Sequence, residues 1–283
     1  MPPRIAIPVP HSGDPDYADR ALPQYERAVM MAGGEPIRIP LDLTPAEVMK
    51  IIEQCDGVLL PGSKADVDPA KFNAARCSQT AAPDPRRDTV DELLLQDAYN
   101  MRKPVLGICY GLQSLNVYRS GSLIQHIPDF LPPGLGTTVN HEAGRTVEVA
   151  HKVAIEPQSV LAEIVRGSLP AQVQFPGGED SAQPKPAASP GASATVVIPV
   201  NSSHHQSADG IGDGLTVVAR CVEDGMVEAL AGTSRDHFVM AVQWHPERSV
   251  DDDQPSRAIF RALVEAARAR HEQLTGEFEN VQG

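Results

Sequence analysis

Residues 107–113 read GICYGLQ and place a cysteine between two glycines, directly after an apolar run and before a plausible helix. Glycines two positions before and two positions after Cys109 allow the tight strand-to-helix turn that projects a nucleophile from the end of a sheet. The N-terminus of the following helix would aim N–H groups and the positive end of its dipole at the sulfur, which favours the thiolate. The segment therefore needs a strand followed by a helix, and it marks Cys109 as either a catalytic thiol or a packed one.

Apolar segments alternate with helical patterns through the first part of the chain, which is typical of an α/β sheet. Strands are predicted at residues 5–9, 37–39, 58–60 and 105–108. Helices are predicted at residues 17–32, 88–101 and 110–119. One more helix is predicted to begin at the capping box formed by Thr44 and Glu47.

The second half contains closely spaced β-like segments with few helical stretches between them. They are residues 146–155, 196–200, 215–220, 226–231 and 238–243. We expect these segments to continue the sheet as antiparallel strands, and an amphipathic helix is predicted at residues 255–271. The predicted fold class is α/β, with a mixed, mostly parallel sheet flanked by helices on both faces in a single domain spanning residues 1–283.

One segment stands apart from this pattern. Residues 176–194 are rich in Pro, Ala, Gly and Ser, and such a composition cannot bury a core. It favours a mobile surface insertion over a lid that closes on the active site.

The net charge of −13 argues against a general nucleic-acid or anionic-membrane binder, because both attract basic proteins. No run of about 18 apolar residues predicts a membrane span, and the first residues lack a signal-peptide core. The four cysteines are widely spaced and form no C-x-x-C pair, which fits a reducing cytoplasm better than disulfides or structural zinc. We expect a cytoplasmic protein that acts on a small molecule, with a homo-oligomer left open.

A cysteine nucleophile needs a base and a group that orients the base. His245 and Glu247 leave the last predicted strand together, in the sequence QWHPE. Because side chains two residues apart lie on the same side of an extended backbone, Glu247 can accept a hydrogen bond from His245 while His245 faces the thiol of Cys109. Alone, the pair could be a strand-end histidine beside an unrelated glutamate. Together with the turn at Cys109, it favours catalysis.

A glycine-containing loop follows the third predicted strand, in the sequence LLPGS. If this strand lies beside the strand that leads to Cys109, a backbone N–H near Gly62 and the N–H of Tyr110 can form an oxyanion hole. Taken by itself, a glycine after a strand indicates only a turn.

With its G-x-C-x-G-x-Q turn and distal H-P-E, the chain resembles the class I glutamine amidotransferase superfamily. Three further motifs resemble its γ-glutamyl-γ-aminobutyrate hydrolase-like branch, peptidase family C26. These motifs are residues 61–69 (PGSKADVDP), 84–88 (DPRRD) and 200–206 (VNSSHHQ). The resemblance covers nearly the whole chain and implies a flavodoxin-like core.

The resemblance implies a Cys-His-Glu triad, formed here by Cys109, His245 and Glu247. Cys109 would attack the amide carbonyl of a γ-glutamyl compound and form a γ-glutamyl thioester, while His245 would protonate the departing amine and then activate water. We expect a hydrolase without cofactor or metal. One departure from the family pattern is Tyr110, where several relatives carry arginine beside the substrate site, so the leaving group can differ.

Three other residues are candidates for binding the substrate. Gln113 lies one turn into the predicted helix, where it can hydrogen-bond a γ-glutamyl group. Ser202 and His204 belong to the VNSSHHQ motif. For His204, holding its own loop by hydrogen bonds is the stronger expectation.

Four more polar residues are given no catalytic role. His141 and His151 flank a turn and a predicted strand, and we expect them to be structural. Asp66 and Asp68 could suggest a metal site, but no suitably spaced set of partners accompanies them.

Two other functions compete with γ-glutamyl hydrolysis. A glutaminase subunit that passes ammonia to a synthase partner would share every residue of the triad, but the chain has no fused synthase domain and carries the three branch motifs. A non-catalytic binding protein on the same scaffold would not need Cys109, His245 and Glu247, and their joint presence argues against it.

Overall fold

The computed structural model describes residues 1–131, 139–168 and 195–281, so the insertion predicted at residues 176–194 lies outside the described residues. The strands are β1 (Arg4–Pro8), β2 (Glu35–Ile39), β3 (Gly57–Leu60), β4 (Val105–Ile108), β5 (Leu123–Ile124), β6 (His151–Ile155), β7 (Val196–Val200), β8 (Ser207–Ala208), β9 (Leu215–Cys221), β10 (Val227–Gly232) and β11 (Val239–Val242). The α-helices are α1 (Pro15–Met31), α2 (Pro45–Ile52), α3 (Pro85–Met101), α4 (Tyr110–Tyr118), α5 (Ile127–Phe130), α6 (Val160–Ser168) and α7 (Gln254–Val281).

One large sheet organises the described residues, with the strand order β2-β1-β3-β4-β11-β10-β9-β6-β7. Neighbours from β2 to β11 are parallel, whereas β10, β9, β6 and β7 extend the sheet through antiparallel pairs. Seven of these nine strands consequently run in one direction. The predicted α/β class with a mixed, mostly parallel sheet is confirmed, as are the antiparallel strands of the second half.

Helices cover both faces of this sheet, as predicted. On one face α1, α6 and α7 pack together, and Leu22 and Leu263 belong to one buried cluster there. On the other face α2, α3 and α4 pack together, and Leu94 and Leu112 belong to a second cluster. Burial of apolar side chains on both faces holds the strand ends in fixed positions.

Local side-chain caps determine where two of these helices begin. The predicted capping box is present at α2, because Thr44 and Glu47 each bond the backbone of the other. The start of α3 was predicted at residue 88, but the helix begins at Pro85. Asp84 is the reason, since its carboxylate accepts from the N–H groups of Arg86 and Arg87 and so satisfies the first turn.

The structure differs from the prediction in four further places. Helix α6 was not predicted; the Ser159 hydroxyl accepts from the Ala162 N–H and caps it. Only the last part of the β-like segment 146–155 is a strand, and β5 pairs with β8 in a small separate sheet. Helix α7 continues past residue 271 because helix-forming Glu and Gln residues prolong it beyond its apolar stripe. Among the described residues, no helix is long and apolar enough to cross a membrane.

Candidate active site

Three neighbouring parallel strands, β3, β4 and β11, end at the same edge of the sheet. The register pairs Leu60 of β3 with Gly107 of β4, and β11 runs beside β4 on the other side. The loops that leave these strands therefore begin side by side, as ligand-binding loops do at the carboxyl ends of parallel strands. They border an open cleft of about 640 Å³ whose lining includes Ser63, Cys109 and His245.

Cys109 occupies the turn between β4 and α4 with a φ of 54° and a ψ of −106°. A non-glycine residue in such a backbone conformation costs about 1–3 kcal/mol and persists only where its surroundings impose it. A Cβ on Gly107 would lie 2.7 Å from the Gly111 carbonyl oxygen, and a Cβ on Gly111 would lie 2.2 Å from the Leu60 carbonyl oxygen. The Cys109 N–H donates to the Val242 carbonyl at 2.9 Å. The predicted strand-to-helix turn is thus present and needs both glycines.

His245 and Glu247 are hydrogen-bonded to each other, with 2.7 Å between Nδ1 and Oε1. Their backbone is not extended as predicted, because Glu247 lies in the 3-10 turn Pro246–Arg248. The Cys109 side chain also lies close to this imidazole. A Cβ built on Gly62 would be 3.1 Å from His245 Cε1 and 3.6 Å from Cys109 Cβ. The thiol side chain and the imidazole therefore border the same small space in front of Gly62.

The charged forms of His245 and Glu247 stabilise each other. Burial disfavours the imidazolium of His245, but the negative charges of Glu247 and of a Cys109 thiolate outweigh burial and raise the pKa of His245 to about 9. Burial also favours the neutral acid of Glu247, yet the positive charge and hydrogen bond of His245 hold the pKa of that carboxyl below its usual value. The site thus favours an imidazolium–carboxylate pair beside the thiol.

Of the two backbone N–H groups predicted for the oxyanion hole, one already has a hydrogen-bond acceptor and the other has none within the part of the chain that the structure describes. The Gly62 N–H donates to the Tyr25 hydroxyl at 3.1 Å, so the prediction for Gly62 is corrected. The next residue, Ser63, lines the cleft, and no hydrogen bond between described residues uses its N–H. Tyr110 is the first residue of α4, where N–H groups have no acceptor within the helix. The candidate amide pair becomes Ser63 and Tyr110.

The side chain of Tyr110 packs against residues of helix α3 beneath the end of β4. Its hydroxyl donates to Asp88, and its ring lies 4.9 Å from the Arg87 guanidinium. Arg87 also donates to the Pro61 carbonyl at 2.7 Å and pairs with Asp91 at 2.6 Å. Although Tyr110 lines the cleft, its side chain is only 1% exposed. The DPRRD motif therefore holds Tyr110 and the loop after β3 in place, with the phenol almost entirely buried.

The three predicted substrate-binding residues lie in different surroundings. Gln113 lines the cleft, with Nε2 3.4 Å from the Gln206 carbonyl oxygen. Ser202 is fully buried outside the cleft lining, and its hydroxyl contacts His151 Nε2, so the prediction for Ser202 is wrong. His204 borders the cleft, but its Nδ1 donates to the Gln206 carbonyl at 2.8 Å. His204 holds its own loop, which was the stronger expectation.

Asn201 is a functional candidate that sequence reasoning missed. Its Oδ1 accepts from the His245 N–H at 3.0 Å, and its Nδ2 donates to Ser249 Oγ at 2.8 Å. The asparagine begins the NSSHHQ stretch, so the motif itself was the signal that could have identified it.

Two sets of residues are of interest as possible metal ligands. Asp66 and Asp68 accept hydrogen bonds from backbone amides at 2.7 Å and 3.0 Å and so stabilise their own loop. A second group brings together His141, His151, His204 and Glu228, whose ligand atoms all lie within 4.8 Å of one another. Sequence reasoning did not assemble this group, because its members come from separate strands and loops.

Several known proteins resemble this chain in sequence. A model of the family described as peptidase C26 matches residues 9–178 and 179–247. A candidate glutamine amidotransferase-like protein of Rickettsia prowazekii is 31% identical over 261 residues, with 90% of each chain covered. The γ-glutamyl-γ-aminobutyrate hydrolase of Escherichia coli strain K12 is 29% identical over 251 residues, covering 86% of this chain and 84% of that protein.

The fold is also shared with a solved structure. A protein from Thermoplasma acidophilum, described as a candidate GMP synthase component, superposes with a TM-score of 0.59 at 16% identity, covering 97% of this chain and 98% of the other. At that identity the likeness shows the fold alone. The family match spans most of the sequence, and the chain therefore belongs to the peptidase C26 family of the class I glutamine amidotransferase-like superfamily.

Proposed function

We propose that this protein is a cysteine hydrolase that cleaves the γ-amide bond of a γ-glutamyl compound. The observation that supports the proposal is that the His245 imidazole is hydrogen-bonded to the Glu247 carboxylate and lies close to the Cys109 side chain at the carboxyl end of the sheet. A base held by a carboxylate and facing a thiol is the arrangement that activates a cysteine nucleophile.

In the first half of the reaction, the Cys109 thiolate attacks the γ-carbonyl carbon. The amide N–H groups of Ser63 and Tyr110 stabilise the oxyanion that forms, because both residues line the cleft and neither N–H has a competing acceptor among the described residues. The His245 imidazolium then gives its Nε2 proton to the departing amine, and the carbon–nitrogen bond breaks. The product of this half is a γ-glutamyl thioester on Cys109 and a free amine.

In the second half, water replaces the amine. Neutral His245 takes a proton from water as the oxygen attacks the thioester, and the carbon–sulfur bond breaks to release glutamate and restore the thiolate–imidazolium pair. Glu247 stays ionised throughout and keeps the imidazole oriented through its 2.7 Å hydrogen bond.

The polarity of the cleft supports an amino-acid substrate. Lys64 and Arg248 line it together with Asp66 and Glu142. A γ-glutamyl group carries an α-carboxylate and an α-ammonium, so a cleft with charges of both signs suits it better than it suits a simple aliphatic amide.

A substrate panel tests the proposal. The purified full chain is incubated with γ-glutamyl-γ-aminobutyrate, other γ-glutamyl amines and glutamine, and the released amines are identified by mass spectrometry. We expect hydrolysis of at least one substituted γ-glutamyl amide and its loss in Cys109→Ala. Unchanged hydrolysis in Cys109→Ala would refute the triad.

The glutaminase alternative keeps one supporting observation, since the Rickettsia prowazekii relative is named as a candidate glutamine amidotransferase-like protein. Release of ammonia from glutamine, with no reaction on any substituted amide, would favour that function. Intact-protein mass spectrometry on a rapidly quenched reaction separates acyl transfer from other chemistry, because the thioester adds one γ-glutamyl group to the wild type and none to Cys109→Ala.

A further inference from the structure

Three histidines surround the carboxylate of Glu228 in the interior of the protein. Glu228 lies on β10, His151 begins β6, and His141 and His204 lie in the loops before β6 and after β7. Glu228 is fully buried, and the three histidines are at most 5% exposed. Buried ionisable groups of this number need partners that balance their charge and fill their hydrogen-bonding capacity.

The distances from the Glu228 carboxylate to the three histidines match those of a coordination sphere. From Glu228 Oε1, His141 Nδ1 and His151 Nε2 are each 3.3 Å away, and His204 Nε2 is 3.5 Å away. Ligands at zinc distances of 2.0–2.2 Å in a tetrahedron lie about 3.3–3.5 Å from one another. The carboxylate therefore already lies at the separation that a tetrahedral ion requires from each histidine, and the four ligand atoms all lie within 4.8 Å of one another.

In two of the histidines, the ring nitrogen that points away from Glu228 has a hydrogen-bond acceptor. A metal-bound histidine usually holds its second nitrogen in the same way. His141 Nε2 lies 2.8 Å from the Asp224 carboxylate, and His204 Nδ1 lies 2.8 Å from the Gln206 carbonyl oxygen. Because each of these nitrogens carries the proton, the opposite nitrogen of a neutral ring presents a lone pair. A carboxylate or carbonyl partner of this kind orients the ring and raises its basicity as a ligand.

The inward-facing atoms lack donors. Within the described ranges, His141 Nδ1, His204 Nε2 and both oxygens of Glu228 have no hydrogen-bond partner. A proton on His141 Nδ1 would pair that ring with Glu228 at 3.3 Å, but the lone pair of a neutral His204 ring still faces the carboxylate, which is repulsive without a cation between them. One proton on one ring relieves one of these contacts, whereas a divalent ion relieves all of them.

We propose that His141, His151, His204 and Glu228 bind one Zn²⁺ ion. Three imidazole nitrogens and one carboxylate oxygen are ligands that zinc accepts in four-coordinate sites. The charge balances, since the ion neutralises the carboxylates of Glu228 and of Asp224 behind His141. Four protein ligands leave no open position, so the ion has a structural role.

One contact must change when the ion binds. The Ser202 hydroxyl now contacts His151 Nε2, the nitrogen that faces Glu228. Rotation of the serine about χ1 frees this nitrogen. The loop that carries Ser202 and His204 also carries Asn201, which holds the His245 backbone, so the zinc ion would stabilise the loop beside the active site.

A rival set of ligands would include the Cys221 thiol. His141, Cys221 and Asp224 form one alternative group of neighbouring ligand atoms, and His151, Cys221 and Glu223 form another. In the structure the Cys221 thiol donates to the Glu223 carboxylate at 3.2 Å, and each alternative has only three members. These groups are distinguished from the proposed one by sulfur coordination.

The first test measures metal content in the full chain. Wild-type protein is stripped with a chelator, reconstituted with ZnCl₂, dialysed and assayed by elemental mass spectrometry. We expect one zinc per chain and a melting temperature that rises on reconstitution and falls again with chelator. Wild-type protein that keeps its native circular dichroism but retains no zinc would overturn the proposal.

X-ray absorption at the zinc edge of the wild type then identifies the ligands without any variant. We expect only nitrogen and oxygen neighbours near 2.0–2.1 Å, and a sulfur neighbour at about 2.3 Å would assign the ion to Cys221 instead. This measurement remains decisive where a variant fails to fold.

The zinc affinities of single variants test which side chains bind the ion. We expect Glu228→Gln and His204→Gln to lose at least tenfold in zinc affinity, and Ser202→Ala and Cys221→Ser to keep one equivalent. The matched control is His237→Gln, since His237 is also buried but bonds the Lys103 carbonyl at 2.8 Å away from the cluster. Folded Glu228→Gln with unchanged affinity would overturn the assignment.

Discussion

The Asn201 side chain accepts a hydrogen bond from the backbone N–H of His245 at 3.0 Å and donates to Ser249 Oγ at 2.8 Å. The two bonds bracket the 3-10 turn Pro246–Arg248, which carries Glu247. A loop that precedes β8 therefore fixes the backbone of the proposed base and of the carboxylate that orients it.

Asn201→Ala tests this connection. We expect kcat to fall about 10- to 100-fold with little change in KM, because a small displacement of His245 misaligns proton transfer without removing a substrate contact. Steady-state kinetics on the best substrate of the panel provide the measurement. Ser249→Ala is the matched control, since it removes only the outer bond and should cost less. A larger loss in Ser249→Ala would contradict the role given to Asn201.

Arg87 holds the Pro61 carbonyl and the Tyr110 ring beside the active site. Its removal should therefore destabilise the whole protein. Arg87 and Asp91 are fully buried, so Arg87→Met leaves an uncompensated carboxylate and should lower the free energy of unfolding by about 3–5 kcal/mol. The double variant Arg87→Met/Asp91→Leu should recover part of that loss. Urea unfolding monitored by circular dichroism gives both values, and equal losses in the single and double variants would show that the unpaired charge is not the cause.

The sequence predicts the site correctly where all the residues that determine a local structure lie within one short segment. The turn at Cys109 needs a strand, two glycines and a helix in succession, and all of them lie within residues 105–118. His245 and Glu247 are likewise near neighbours in the chain, so their pairing was predicted even though their backbone forms a 3-10 turn.

Sequence reasoning failed where the partner comes from a distant element. The Gly62 N–H was predicted to face the oxyanion, but Tyr25 of α1 supplies an acceptor that no local pattern reveals. Ser202 was predicted to bind substrate from its motif alone, and only the fold shows that it turns toward His151. Glu228 looked like an ordinary strand residue, because three histidines surround it only after β6 and β10 enter one sheet.

Gly111 tests the steric basis of the turn. An added Cβ would lie 2.2 Å from the Leu60 carbonyl oxygen, and backbone atoms cannot yield as a flexible side chain can. We expect Gly111→Ala to lower the free energy of unfolding by about 3 kcal/mol or more. The matched control is Gly167→Ala in α6, where no atom of the described residues lies within 4 Å of the new Cβ.

Helix propensity alone governs the control, so Gly167→Ala should raise the free energy of unfolding by up to about 1 kcal/mol. Thermal and urea unfolding of the two variants provide the comparison. Similar stabilities for both would contradict the claim that close packing against β3 makes Gly111 necessary.

The pH dependence of kcat/KM tests the charge coupling around His245. Its pKa is raised to about 9 because attraction to Glu247 and to the Cys109 thiolate exceeds the effect of burial. The imidazolium that protonates the departing amine therefore persists up to that pH and is lost above it, so kcat/KM, which reports the free enzyme and the steps through acylation, should fall with a midpoint near pH 9. Glu247→Gln removes the main attraction and should move this alkaline limb to lower pH, with kcat reduced about 100-fold or more.

The variant Arg248→Gln should shift the pKa of His245 in the opposite direction. The positive charge of Arg248 lowers the pKa of His245, so its removal should move the alkaline limb to higher pH. The midpoint of the kcat/KM profile separates this shift from a loss of substrate binding, because a pH-independent loss of binding lowers the whole curve without moving its midpoint. If both variants moved the limb in the same direction, the alkaline limb would not report the titration of His245, and another group would have to donate the proton to the leaving amine.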